Sequence, residues 1–128
     1  MSELLTRAAI LAAADMPTVD VPVPEWGGTV RLVTLTGAER DAWEAQFTGD
    51  EKERPGNIRA SLAAICIVDA EGNRMFGDAD VIDLGKKSAP ALDRIFDAAC
   101  KLNRLRPSDI EELEKNSDGG QADASPSD

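Results

Sequence analysis

The chain has 128 residues and carries 14 basic against 24 acidic side chains, a formal charge of −10, with no histidine at all. That balance argues against nucleic acid or an anionic membrane surface as a partner, because both are held by a basic footprint. The missing histidine removes the commonest general base, the Ser-His-Asp arrangement and most zinc sites together, so the chain is not expected to be an enzyme.

In chain order, residues 3–14 read as a helix. Ser2 can cap it, and Leu4, Leu5, Ala8, Leu11 and Ala12 recur at helical spacing. The run is too short to span a membrane and lacks the basic lead and leucine-rich core of a secretion signal, which points to the cytoplasm. Pro17 closes it, since the residue before a proline avoids helical backbone. Val19, Val21 and Val23 then alternate with polar residues and prolines, the pattern of an edge strand. After the turn Trp26-Gly27-Gly28, residues 29–35 form a second strand, giving a β-ribbon over 18–35.

Thr36 with Glu39 fits a capping box opening a helix over 37–47, on which Trp43 and Phe47 form an i,i+4 aromatic pair. A charged loop follows over 48–56. Asn57 starts a helix that turns into a strand near position 64, where Ile65-Cys66-Ile67-Val68 is β-branched. The Asp69–Asn73 turn and Arg74-Met75-Phe76 complete a hairpin over 64–76. Asp78 caps a short helix running to Leu84 and stopped by Gly85. Ser88 caps the most amphipathic helix, 89–104, with Leu92, Ile95, Phe96, Ala99 and Leu102 on its apolar stripe. Pro107 suits the first position of a last short helix carrying Ile110 and Leu113. The whole reads as one small α+β domain over 1–115, mainly helical with one or two β-hairpins. It is followed over 116–128 by an acidic tail too poor in apolar residues to offset its own ordering entropy, and therefore expected to be disordered. Residues 109–128 hold seven acids and one base, which leaves the body near −4.

No cluster carries chemistry on this reading. Asp78-Ala-Asp80 matches only the start of a calcium loop, whose glycine and closing glutamate are replaced by Asp83 and Ala89. Gly85-Lys-Lys-Ser88 lacks the upstream glycine of a phosphate loop. Cys66 and Cys100 sit in apolar runs and read as reduced, buried thiols rather than a redox pair. No metal and no cofactor are expected. What remains is apolar surface on a soluble, acidic body, the character of an adaptor or assembly chaperone. In a chain so poor in aromatics, Trp26, Trp43, Phe47, Leu92 and Phe96 are the candidate partner contacts, although core packing is the commoner reason for such residues at these positions.

Three local texts carry a family resemblance: Trp26-Gly-Gly-Thr-Val-Arg-Leu-Val-Thr-Leu-Thr-Gly-Ala-Glu-Arg-Asp-Ala-Trp-Glu44, Ile67-Val-Asp-Ala-Glu-Gly-Asn-Arg-Met-Phe76, and Leu84-Gly-Lys-Lys-Ser-Ala-Pro-Ala-Leu-Asp-Arg-Ile-Phe96. Their order resembles the tail assembly chaperones of long-tailed phages and prophages. The resemblance implies a non-enzymatic protein in the host bacterial cytoplasm. It would bind the tape-measure protein, help recruit tail-tube protein, self-associate, and be absent from the mature virion. A minor structural tail or connector protein, or a small acidic inhibitor or adaptor, are the alternatives.

Overall fold

The computed structural model describes residues 3–47, 57–106 and 108–112. The charged loop over 48–56, Pro107, and the acidic tail expected over 116–128 lie outside the described residues.

The domain is α+β and mainly helical, with one small antiparallel sheet. Helix α1 covers only Arg7–Ala12, shorter than the expected 3–14, and its cap is Thr6, whose Oγ1 accepts from the Ala9 N–H at 3.1 Å. The shortening has a plain cause. No residue of α1 is buried, and a helix with nothing to pack on is held only by alanine propensity against a costly nucleus.

Strands β1 (Thr18–Val23) and β2 (Gly28–Val33) form the expected ribbon, paired antiparallel from Thr18 opposite Val33 to Val23 opposite Gly28. A single 3₁₀ turn, Pro24–Trp26, joins them, and Gly27 takes φ +74°, the left-handed backbone for which glycine is the default. Directly opposed residues share a face of the sheet. Val21, Val23 and Leu32 therefore point together into the core, whereas Asp20, Pro22, Thr29 and Arg31 point outward to solvent.

Helix α2 (Gly37–Ala45) opens on the predicted capping box. The Thr36 N–H donates to Glu39 Oε1 at 2.8 Å, and the Glu39 N–H donates to Thr36 Oγ1 at 3.0 Å. The helix stops at Ala45, and the following turn carries Phe47 inward. Helix α3 (Ile58–Cys66) is capped by Asn57 as expected, but it runs two residues past the predicted change to strand. Packing against the long helix outweighs the β-branched character of Ile65, since Ala60 through Ala64 and Cys66 are all buried. Strand β3 is then only Ile67–Val68, and it pairs with Leu32 and Arg31 of β2. Its return partner meets it through one bridge, Val68 with Arg74, so the expected 64–76 hairpin is reduced to a vestige.

After a 3₁₀ turn at Asp78–Asp80 comes α4 (Val81–Leu84). The turn starts at Gly77, whose N–H donates to Asp80 Oδ2 at 2.8 Å, so Asp78 is not the cap. Gly85 ends α4 at φ −66°, without the left-handed backbone a glycine stop usually adopts. Helix α5 (Ala89–Leu102) is capped by Ser88 and ends at Asn103, and a short helical stretch covers 108–112. α5 packs against α3 on one side and against the inward face of β1 and β2 on the other. The core lies between them. Among the described residues, no helix is long and apolar enough to cross a membrane.

Two polar side chains serve this core. The Trp43 indole N–H donates to Ser61 Oγ at 2.9 Å, and that hydroxyl donates onward to the Ile58 carbonyl at 2.9 Å. Asn103, also buried, ties three elements at one point. Its Oδ1 accepts from the Leu35 N–H at 2.8 Å, its Nδ2 donates to the Ala99 carbonyl at 3.0 Å, and its own carbonyl accepts from Arg40 Nη1 at 3.3 Å.

Candidate functional site

The five candidate contacts do not share a surface. Trp43 and Phe47 pack edge to face with ring centroids 5.3 Å apart, and they are 1% and 0% exposed. Leu92 is 2% exposed on the buried stripe of α5. These three side chains are core, which corrects the expectation of a Trp43/Phe47 contact face. In a chain with so few aromatics, the ring pair is needed to fill the space under α3. Phe96 is half-buried, and the Arg59 guanidinium, 5.7 Å from its ring centroid, covers it while pairing with Asp93 at 2.6 Å.

Trp26 behaves differently. It is half-buried, rests on the edge of the core, and forms a wall of an open groove of about 510 Å³. The floor and walls are mainly apolar: Val30, Ile67, Val68, Met75 and Phe76. Phe76 is half-buried and Met75 is 56% exposed. A second depression of about 370 Å³ also uses Trp26 and Phe76 and continues toward Leu84 and Lys87. The two aromatic rings thus sit where both hollows meet, with Ile82 on α4, 74% exposed, as further apolar surface on that helix.

The groove is held in shape from three sides. Glu25, beside Trp26, accepts from Arg94 Nε at 2.9 and 3.1 Å and so ties the 3₁₀ turn to α5. The Arg94 guanidinium holds the Glu25 carboxyl below its usual range. Asp20 and Arg31 pair side-on across the strands at 2.7 and 3.1 Å, which lowers the Asp20 pKa and raises that of Arg31. On the opposite wall, Arg74 donates to the Ala64 carbonyl at 3.1 Å and to Asp78 Oδ1 at 3.0 Å, fixing the segment that presents Met75 and Phe76.

The rim is acidic. Asp20 and Asp69 border the larger hollow, Asp80 and Asp83 the smaller. Asp69 Oδ1 accepts from the N–H groups of Glu71 and Asn73, and Asp80 accepts from Gly77, so these carboxylates serve as turn and cap acceptors. Asp83 lies 3.7 Å from Lys86. Burial pushes the Cys66 thiol up to about 12 and that of Cys100 up to about 11, which keeps both in the unreactive thiol form.

Sequence reasoning found Trp26 and missed Phe76, Met75 and Val30. Their place in the groove depends on β3 pairing with β2 and ending after two residues, which no local pattern in the sequence shows. No family model matches the chain, and neither a curated protein nor a solved structure does.

Proposed function

We propose that this protein is a non-enzymatic assembly chaperone that holds an apolar segment of a client protein in the groove built on Trp26 and Phe76. The observation that carries the reading is that apolar hollow, open to solvent on an acidic body: two of the chain's five aromatic rings, Trp26 and Phe76, line it half-exposed. Net charge of −10 keeps such a patch soluble and opposes self-aggregation of the loaded complex. Together with the resemblance of residues 26–96 to phage tail assembly chaperones, the reading makes the client the tape-measure protein, met in the bacterial cytoplasm, with tail-tube protein recruited afterward.

Co-expression with the tape-measure protein of the same phage tests it. The wild-type chain should keep the client soluble and co-purify with it, and mature particles should lack the chaperone. Replacing Trp26 and Phe76 with alanine should remove that protection while the variant stays folded. A client that aggregates equally with and without the wild-type chain overturns the reading. Stoichiometric presence in mature particles would favour a structural tail component instead.

A further inference from the structure

Resting on that reading of the groove, we propose that the captured segment binds in extended form, as an added strand along β2 beside Thr29, and that it is an apolar stretch of a partner protein flanked by basic residues. The backbone carries the first half of this inference. Along a strand, successive residues direct their N–H and C=O groups to alternate sides. The Pro17 carbonyl accepts from the Thr34 N–H at 3.1 Å, which fixes the phase of the β1–β2 ladder. Val19, Val21 and Val23 then face β2, while Pro22 faces the outer edge of the sheet. Thr29, opposite Pro22, turns its N–H and C=O away from β1 and toward the β3 side. The phase agrees at the other end: the Ile67 carbonyl accepts from the Met75 N–H, so Val68 is left to face Arg31.

On the β3 side, the ladder stops at Arg31. The residue that would oppose Thr29 is Ala70, but the Asp69–Asn73 turn, closed by Gly72 N–H to the Asp69 carbonyl at 2.9 Å, takes the chain away. Thr29 and Ala70 consequently line the groove together, and among the described residues no strand lies beside Gly28, Thr29 or Val30 on that side. The two edges of the sheet contrast sharply. The outer edge of β1 is interrupted by Pro22, which has no N–H and discourages strand addition. The Thr29 edge has no such guard, and Trp26, Met75 and Phe76 stand beside it to receive alternate side chains.

Charge supplies the second half. Among the described residues, Asp69 and Asp80 on the rim are met by backbone N–H donors alone; Arg31, the cation lining the larger hollow, is already paired with Asp20, and Lys87 borders the smaller one beside Asp80 and Asp83. An acidic rim round an apolar floor fits a segment whose apolar residues are bracketed by Lys or Arg.

The test titrates the full-length protein, labelled with ¹⁵N, with a nine-residue peptide of alternating Val and Thr with Lys at both ends. Binding should shift the Thr29 amide and the Trp26 indole, and protect the Thr29 amide from exchange. Backbone N-methylation at alternate peptide positions should abolish binding in one parity, by about tenfold or more, and spare it in the other, because only one set of peptide N–H groups faces β2. Equal loss in both parities, or equally tight binding of a helix-stapled apolar peptide, would overturn the extended mode. Asp in place of the terminal Lys should weaken binding; unchanged affinity would overturn the charge assignment. A second copy of the chain occupying the groove would appear as concentration-dependent dimers with the same Thr29 protection before peptide is added, and that too overturns the proposal. Should the peptides fail while the tape-measure client still binds through Trp26, the strand mode falls and the chaperone reading stands.

Discussion

Trp26 and Trp43 are the two indoles of this chain, and their surroundings divide the molecule into a sealed half and an open half. Trp43 meets Phe47 edge to face, gives its N–H to Ser61 and is covered on all sides. Trp26 sits on a tight turn at the edge of the core, held by its neighbour Glu25, and shares with Phe76 the junction of two hollows. The same residue type therefore does two jobs. In one place it completes a core otherwise made of small aliphatic side chains; in the other it offers apolar surface that the fold itself does not cover. The lesson is that composition identifies the scarce residues, while topology decides which of them are spent inside.

Substitutions sharpen that contrast. Trp43→Ala should be the most damaging, costing about 3–5 kcal/mol in chemical unfolding, because it removes a fully buried ring and the donor to Ser61 Oγ. Asn103→Ala should cost about 1–3 kcal/mol in the same measurement, since it leaves the buried Leu35 N–H without its acceptor. Alkali should come next. The Cys66 thiol stays protonated in the folded state up to about 12, against an ordinary value of 9.0, so the unfolded chain loses its proton first as pH rises. Its contribution is complete well below pH 9 and should have fallen by about 1.4 kcal/mol at pH 10; Cys66→Ala should remove that share of the alkaline loss and leave the share due to Cys100, whose thiol is also raised. Trp26→Ala should cost only about 1 kcal/mol of stability while weakening client binding at least about tenfold. Deleting residues 3–12 should move stability by less than about 0.5 kcal/mol, because α1 buries nothing, although Leu4 is 98% exposed and Leu5 and Leu11 are open as well.

Much of the framework was legible in the sequence because it rests on local chemistry. The Thr36/Glu39 box, the caps Asn57 and Ser88, the Val19-Val21-Val23 alternation and the stripe on α5 all declare themselves within a few residues. The errors came where a distant neighbour decides. Ile65 and Cys66 read as strand, yet α3 keeps them helical because it packs along α5. Trp43 and Phe47 formed a helical pair that suits a docking face as well as a core, and only the position of α3 separates the two. The groove was half visible. Scarcity of aromatics singled out Trp26, which lines it, but Phe76 and Met75 reach it only because β3 ends after two residues, which no local pattern shows.

The central claim is that the open indole, and not the sealed one, meets the partner. The most direct measurement is calorimetric titration of the proposed client, a tape-measure protein, into wild-type protein and into the Trp26→Ala/Phe76→Ala double variant, each checked for native far-UV dichroism. A folded double variant that binds at least about tenfold more weakly is the expected result, a loss of about 1.4 kcal/mol or more. A folded double variant that binds as tightly as wild type would contradict the account.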